Sequence, residues 1–127
     1  MKPKLTLLII ENNAVISARL TDLLSEYKEV RKVLNAVDYD SAYKVLKSHK
    51  VNIILLGIHI SDTDILELVS ICTYEQQCSL IILSDHPQNF YKERYKYLGL
   101  NYWLDKANEF DLIPQLLDEI AKRQSIT

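Results

Sequence analysis

Val51-Asn52-Ile53-Ile54-Leu55-Leu56 is an almost unbroken apolar run, and it constrains the fold more than any other segment of the chain. A strand that is apolar on both sides has to be covered on both sides, which is the condition of a parallel sheet. Leu5 to Ile10 and Leu80 to Leu83 read the same way, Val30 to Ala36 gives a further strand, and Asn101 to Leu104 a short last one.

Helical spacing of apolar residues fills the intervals between these strands. Asn13 is placed to cap a helix with Ile16, Leu20, Leu23, Leu24 and Tyr27 inward. Asp38 or Asp40 opens a second, with Ala42, Val45 and Leu46 inward, and His49 and Lys50 close it. Ile65, Leu68, Val69 and Cys72 make a third stripe, with Asp62 and Asp64 read as its turn and N-cap. Tyr91, Tyr95 and Leu98 make a fourth, ended by Gly99. The last helix buries Ile113, Leu116, Leu117 and Ile120, and Asp111 as its cap would put Pro114 in the first turn, where proline is tolerated. Strands alternating with helices predict an α/β fold: a doubly wound, five-stranded parallel sheet with five helices.

At 127 residues the chain is expected to be a single domain over 1–127. Only a polar tail follows the fifth helix, so no output domain is expected. A net charge of -2 supplies no basic footprint for nucleic acid. No apolar stretch approaches the roughly 18 residues of a membrane span, and the amino terminus lacks a signal-peptide pattern, so a cytoplasmic protein is expected. Cys72 and Cys78 lack metal-ligand spacing and are read as isolated, reduced thiols, buried or half-buried.

Open parallel sheets bind ligands outside the carboxyl ends of their strands. Those ends deliver Glu11 and Asn12, then Gly57, then Ser84 followed by Asp85, then Asp105 and Lys106. An acidic pair, a central Asp, a Ser or Thr and a Lys in this order is the pattern of the receiver domain of bacterial response regulators, and the chain resembles that family from end to end. The resemblance implies a flavodoxin-like, CheY-like fold with strand order 2-1-3-4-5 and a role in two-component phosphorelay signalling. Trp103, three residues before Lys106, falls where the family carries its switch aromatic.

The same resemblance marks where this chain departs from the pattern. Phosphoryl transfer in the family needs an Asp nucleophile, a Mg²⁺ ion held by acidic groups, and Lys and hydroxyl ligands for the phosphate. Lys106 and Ser84 match the last two and Glu11 matches one acid, but Asn12 replaces the second acid and Gly57 replaces the nucleophile. Each lost carboxylate forfeits roughly 4 kcal/mol of attraction per unit charge on the ion, taking about 4 Å and an effective dielectric near 20. No Mg²⁺ or other cofactor, and no catalytic residue, is therefore expected. Asp85 would repel an incoming phosphate, and Lys106, without a central Asp, is expected to turn to Glu11 or Asp85. His59 and His86 flank the pocket and are read as solvated rim residues.

Of the eight tyrosines, Tyr91, Tyr95, Tyr97 and Tyr102 cluster near Phe90 and Trp103. With Tyr91, Tyr95 and Leu98 inward, Phe90, Arg94 and Tyr97 share the outward face with Tyr102 nearby, a composition typical of binding hot spots. Two readings follow. One is a pseudo-receiver, not an enzyme, that acts by binding a protein partner or a second copy through the fourth helix and fifth strand. The other is a sensor holding an anion or small metabolite in the space left by Gly57, lined by Glu11, His59, Ser84 and Lys106.

Overall fold

The computed structural model describes residues 5–84, 96, 102–106 and 110–125. Five strands, β1 (Leu5–Ile10), β2 (Val30–Ala36), β3 (Ile53–Leu56), β4 (Ser79–Ser84) and β5 (Tyr102–Asp105), form one parallel sheet in the order β2-β1-β3-β4-β5. Four α-helices lie among the described residues: α1 (Ala14–Ser25), α2 (Tyr39–Ser48), α3 (Asp62–Ser70) and α4 (Ile113–Ser125). The expected helix around Tyr91, Tyr95 and Leu98, with its Gly99 terminus, lies outside the described residues, apart from Lys96, which is helical.

The central strands divide their side chains between two cores. Leu8, Ile10, Ile54, Leu56, Leu80 and Ile82 meet α2 and α3 through Ala42, Leu46, Ile65 and Leu68. Leu7, Ile9, Ile53, Leu55, Ile81 and Leu83 point the other way, to Leu20 and Leu24 of α1 and Ile113, Leu117 and Ile120 of α4. This period-2 split explains why β1, β3 and β4 carry no polar face: each successive residue enters one core or the other. Tyr27, just past α1, ties the second core together by donating its hydroxyl to the Pro114 carbonyl, 2.8 Å away.

Local chemistry sets the element ends. Asn13 caps α1, its side-chain oxygen accepting from the Val15 and Ile16 amides, and Asp38 caps α2 by accepting from Ser41. Three expectations are corrected. The cap of α3 is Ser61, which accepts from the Asp64 amide at 3.1 Å; Asp62 and Asp64 lie inside the first turn, where their charge complements the helix dipole. Asp111 sits within a 3-10 turn, Phe110–Leu112, rather than capping α4, although Pro114 does fall in the first turn of that helix. Finally, β3 starts at Ile53, because Asn52 bends and spends its side-chain oxygen on the Thr6 amide at 2.8 Å.

An unanticipated feature follows α3. The chain widens into a π-helical segment, Ile71–Gln76, closed by Gln77 in the left-handed conformation at φ 55. Widening lets Ile71, Cys72 and Gln76 all turn inward. The buried Gln76 amide then clamps the end of α2: Nε2 donates to the Leu46 and His49 carbonyls at 2.8 and 3.0 Å, and Oε1 accepts from the Val51 amide at 3.0 Å.

Candidate functional site

Strand order reverses between β1 and β3, so the crevice at their carboxyl ends is the topological switch point of the sheet. Glu11 follows β1 and Gly57 follows β3, side by side, with the Gly57 amide donating to the Ile10 carbonyl at 2.8 Å. Ser84 ends β4 and Asp105 ends β5 opposite it, and the Lys106 amide donates to the Ser84 carbonyl at 2.8 Å. Parallel register thus brings residues from four strands to one corner.

Glu11 is the centre of this corner and is 2% exposed. Its Oε2 accepts from the Asn13 amide at 2.9 Å, one of the donors that the start of α1 leaves free. That bond turns the carboxylate inward across β3. Oε1 has no well-aligned hydrogen-bond donor, and its charge is met by the Lys106 ammonium 2.5 Å away. Lys106 Nζ also donates to the Gly57 carbonyl at 2.7 Å, so one cation binds both the acid and the backbone beneath it.

Gly57 is explained by space rather than by backbone freedom, since its φ lies outside the left-handed range. A Cβ built on it would come within 2.5 Å of Glu11 Oε1. The Glu11 carboxylate therefore occupies the volume into which a side chain at position 57 would grow. Of the two partners expected for Lys106, Glu11 is the one observed; Asp85 and His86 lie outside the described residues.

The remaining expected residues take different positions. Asn12 and His59 are exposed and do not join the Glu11–Lys106 pair. Ser84 is nearly buried at the same end of the sheet. Trp103 is half-buried against the core shared by α2 and α3, whereas its neighbour Tyr102 packs toward α4. The Tyr102 hydroxyl accepts from Arg123 Nη1 at 2.5 Å, and the guanidinium lies 5.8 Å from the ring centroid. Phe90, Arg94 and Tyr97 lie outside the described residues. A concave groove of about 590 Å³ opens beside the corner, lined by Asn12, Ser17, Thr21, Asn35 and Val37 among others, but not by His59, Ser84 or Lys106.

The sheet order agrees with comparisons against known proteins. A family model described as the response regulator receiver domain matches residues 7–118. The chain belongs to this family. No curated protein matches it. Among solved structures, the receiver is similar to a two-component response regulator from Clostridium difficile, at 19% identity and TM-score 0.81, covering 95% of this chain and 98% of that one. It is also similar to the signal receiver domain of an HD domain-containing protein from Pseudomonas fluorescens Pf-5, at 19% identity and TM-score 0.78, with 98% and 99% covered. A LuxR-family DNA-binding response regulator from Staphylococcus aureus follows at 15% identity and TM-score 0.76, with 92% and 98% covered. No helix among the described residues of this receiver is long and apolar enough to cross a membrane.

Sequence reasoning missed two contributors to the site. The Asn13 amide, read only through its capping side chain, orients Glu11, and the signal available was its place at the first free turn of α1. The steric role of Gly57 was also missed, because an absent side chain announces no contact.

Proposed function

We propose that this receiver is a two-component signalling module that docks on a protein partner without phosphorylation of an aspartate. The observation carrying the proposal is the position of the Glu11 carboxylate over Gly57 and against Lys106. Position 57 offers no nucleophile. The Lys106 ammonium, which would otherwise meet a phosphate, is already held by a carboxylate and a carbonyl.

The donors at the corner do not fit a Mg²⁺ ion. Octahedral Mg²⁺ is bound through one or two carboxylates and keeps several waters. Here the Glu11 carboxylate is buried with one oxygen on the Asn13 amide and the other on an ammonium, and Asn12 adds no charge. The same filling argues against the reading in which an anion or metabolite occupies the space beside Gly57.

The docking face is assigned to the edge of the sheet at β5 with Tyr102, together with Phe90, Arg94 and Tyr97, which the helical spacing of the sequence puts on one outward face and which lie outside the described residues. β5 is a terminal strand of the sheet, and Arg123 of α4 fixes the Tyr102 ring there. Capture of binding proteins from the native extract tests the proposal when run with and without a small phosphodonor and Mg²⁺. Equal recovery in both arms, reduced in a Phe90→Ala, Tyr97→Ala variant that keeps its thermal stability, is the expected result. Recovery that depends on the phosphodonor would overturn it.

A further inference from the structure

The far end of β4 from the pocket holds a second chemical feature. Cys72 lies in the π-helical segment and Cys78 immediately precedes Ser79, the first residue of β4. They are six positions apart in the chain, yet the left-handed Gln77 turns the backbone so that the Cys78 amide donates to the Cys72 carbonyl at 2.9 Å. Standard bond lengths then leave the two Cα atoms no more than about 7 Å apart. That bound overlaps the range of roughly 4.4–6.8 Å in which disulfides form.

The reading of two isolated thiols is therefore corrected: they are neighbours, and both are free. Their environments differ in a useful way. Cys72 is buried at 5% exposure, whereas Cys78 is half-buried and reachable from solvent. Interaction with the neighbouring Cys72 thiol lowers the Cys78 pKa against the opposing effect of burial, and the nearby Lys50 charge acts in the same direction. The same interaction, together with burial, raises the pKa of Cys72. Lys50 is fixed in this neighbourhood by its contact with the Gln76 carbonyl.

We propose that Cys72 and Cys78 are a reversible, hydroperoxide-sensitive disulfide site at the amino end of β4. The Cys78 thiolate attacks the peroxide oxygen, the O–O bond breaks, and Cys78 becomes a sulfenic acid as hydroxide or water leaves. The Cys72 sulfur then attacks the Cys78 sulfur, forming the S–S bond, and its proton leaves with the sulfenic oxygen as water. Two thiols lose two electrons in all, and one hydroperoxide gains them. A reducing thiol reverses the step by exchange. The bond would staple the end of the α3–π segment to the start of β4, about 20 Å from Ser84 and the pocket.

Hydrogen peroxide added to the full chain, followed by alkylation of remaining thiols, trypsin digestion and mass spectrometry, tests the proposal. Both cysteines fall in one tryptic peptide, 51–92, because no Lys or Arg intervenes. The expected product is that peptide lighter by two hydrogens and resistant to alkylation, recovered fully on treatment with dithiothreitol. Cys72→Ser should instead leave a Cys78 sulfenic acid that dimedone labels, and Lys50→Met should slow disulfide formation several-fold. Should Cys72→Ser fail to fold, Cys78→Ser at the half-buried position provides the control and should leave Cys72 unoxidised. Peroxide that leaves both thiols alkylatable, or that yields only sulfinic acid or disulfides between chains, would overturn the proposal.

Discussion

Glu11 Oε1 lies 2.5 Å from the point where a Cβ at Gly57 would stand, so the acid from β1 fills the volume that a side chain from β3 would need. The two residues are sterically complementary, and Lys106 closes the arrangement by binding the Glu11 carboxylate and the Gly57 carbonyl together. Gly57→Ala should cost about 1–3 kcal/mol through this contact, in the range of small overpacking changes. Glu11→Asp withdraws the carboxylate by one methylene, so it should relieve part of that cost in the double variant. Urea unfolding of the four proteins measures the coupling; strict additivity would show that the two side chains do not compete for space.

The ion pair itself is open to a second cycle. The side chains of Glu11 and Lys106 are 1% and 9% exposed, so removing one partner strands a charge away from water. Glu11→Gln and Lys106→Met should each destabilise the protein by about 3–5 kcal/mol. The double variant should recover a large share of the loss, since no unpaired charge is left. Equal and additive losses in denaturant titrations would argue that the pair is solvated.

Gln76 is the polar residue on which the junction of α2 and β3 depends. Its amide meets three backbone groups, of Leu46, His49 and Val51. Gln76→Leu keeps the volume and removes every bond, costing about 1–3 kcal/mol for each buried group left unmet. Hydrogen exchange at the Val51 amide should accelerate by at least as much as the global stability falls. Unchanged protection at Val51 would count against the clamp.

Asp38 gives the acid limb of stability a defined sign. Hydrogen bonds from Ser41 at the cap of α2 hold its carboxyl below the ordinary carboxylate value. A depressed folded-state pKa contributes stability above the unfolded value, near 4, and loses it as pH falls through the folded one. Asp38→Ala should therefore lower the thermal midpoint at neutral pH and converge with the parent protein as the pH falls through the lowered folded-state value. A constant difference between the two proteins down to pH 2 would remove the charge from the explanation.

The bounds of β1 and β2 and the cap at Asn13 were legible because burial on two faces and helix capping leave local marks in the residue order. So was the gathering of Glu11, Gly57, Ser84 and Lys106, because parallel strands deliver their following residues to one edge. The π-helical turn was not legible: Ile71 and Cys72 fit the stripe of α3 equally well, and widening by a residue is decided by tertiary packing. Gln76 reads in sequence as one more polar residue of Glu75-Gln76-Gln77, and only the approach of α2 gives it partners. Cys72 and Cys78 became neighbours through Gln77, a residue type with no strong preference for the left-handed turn it makes.

Incubation of the unmodified protein with acetyl phosphate and Mg²⁺, read by intact mass spectrometry, tests the central claim most directly. With Glu11 over Gly57 and Lys106 already bound, the mass should stay that of the free chain at every time point. A Mg²⁺-dependent phosphoryl increment that maps to an aspartate would contradict the account.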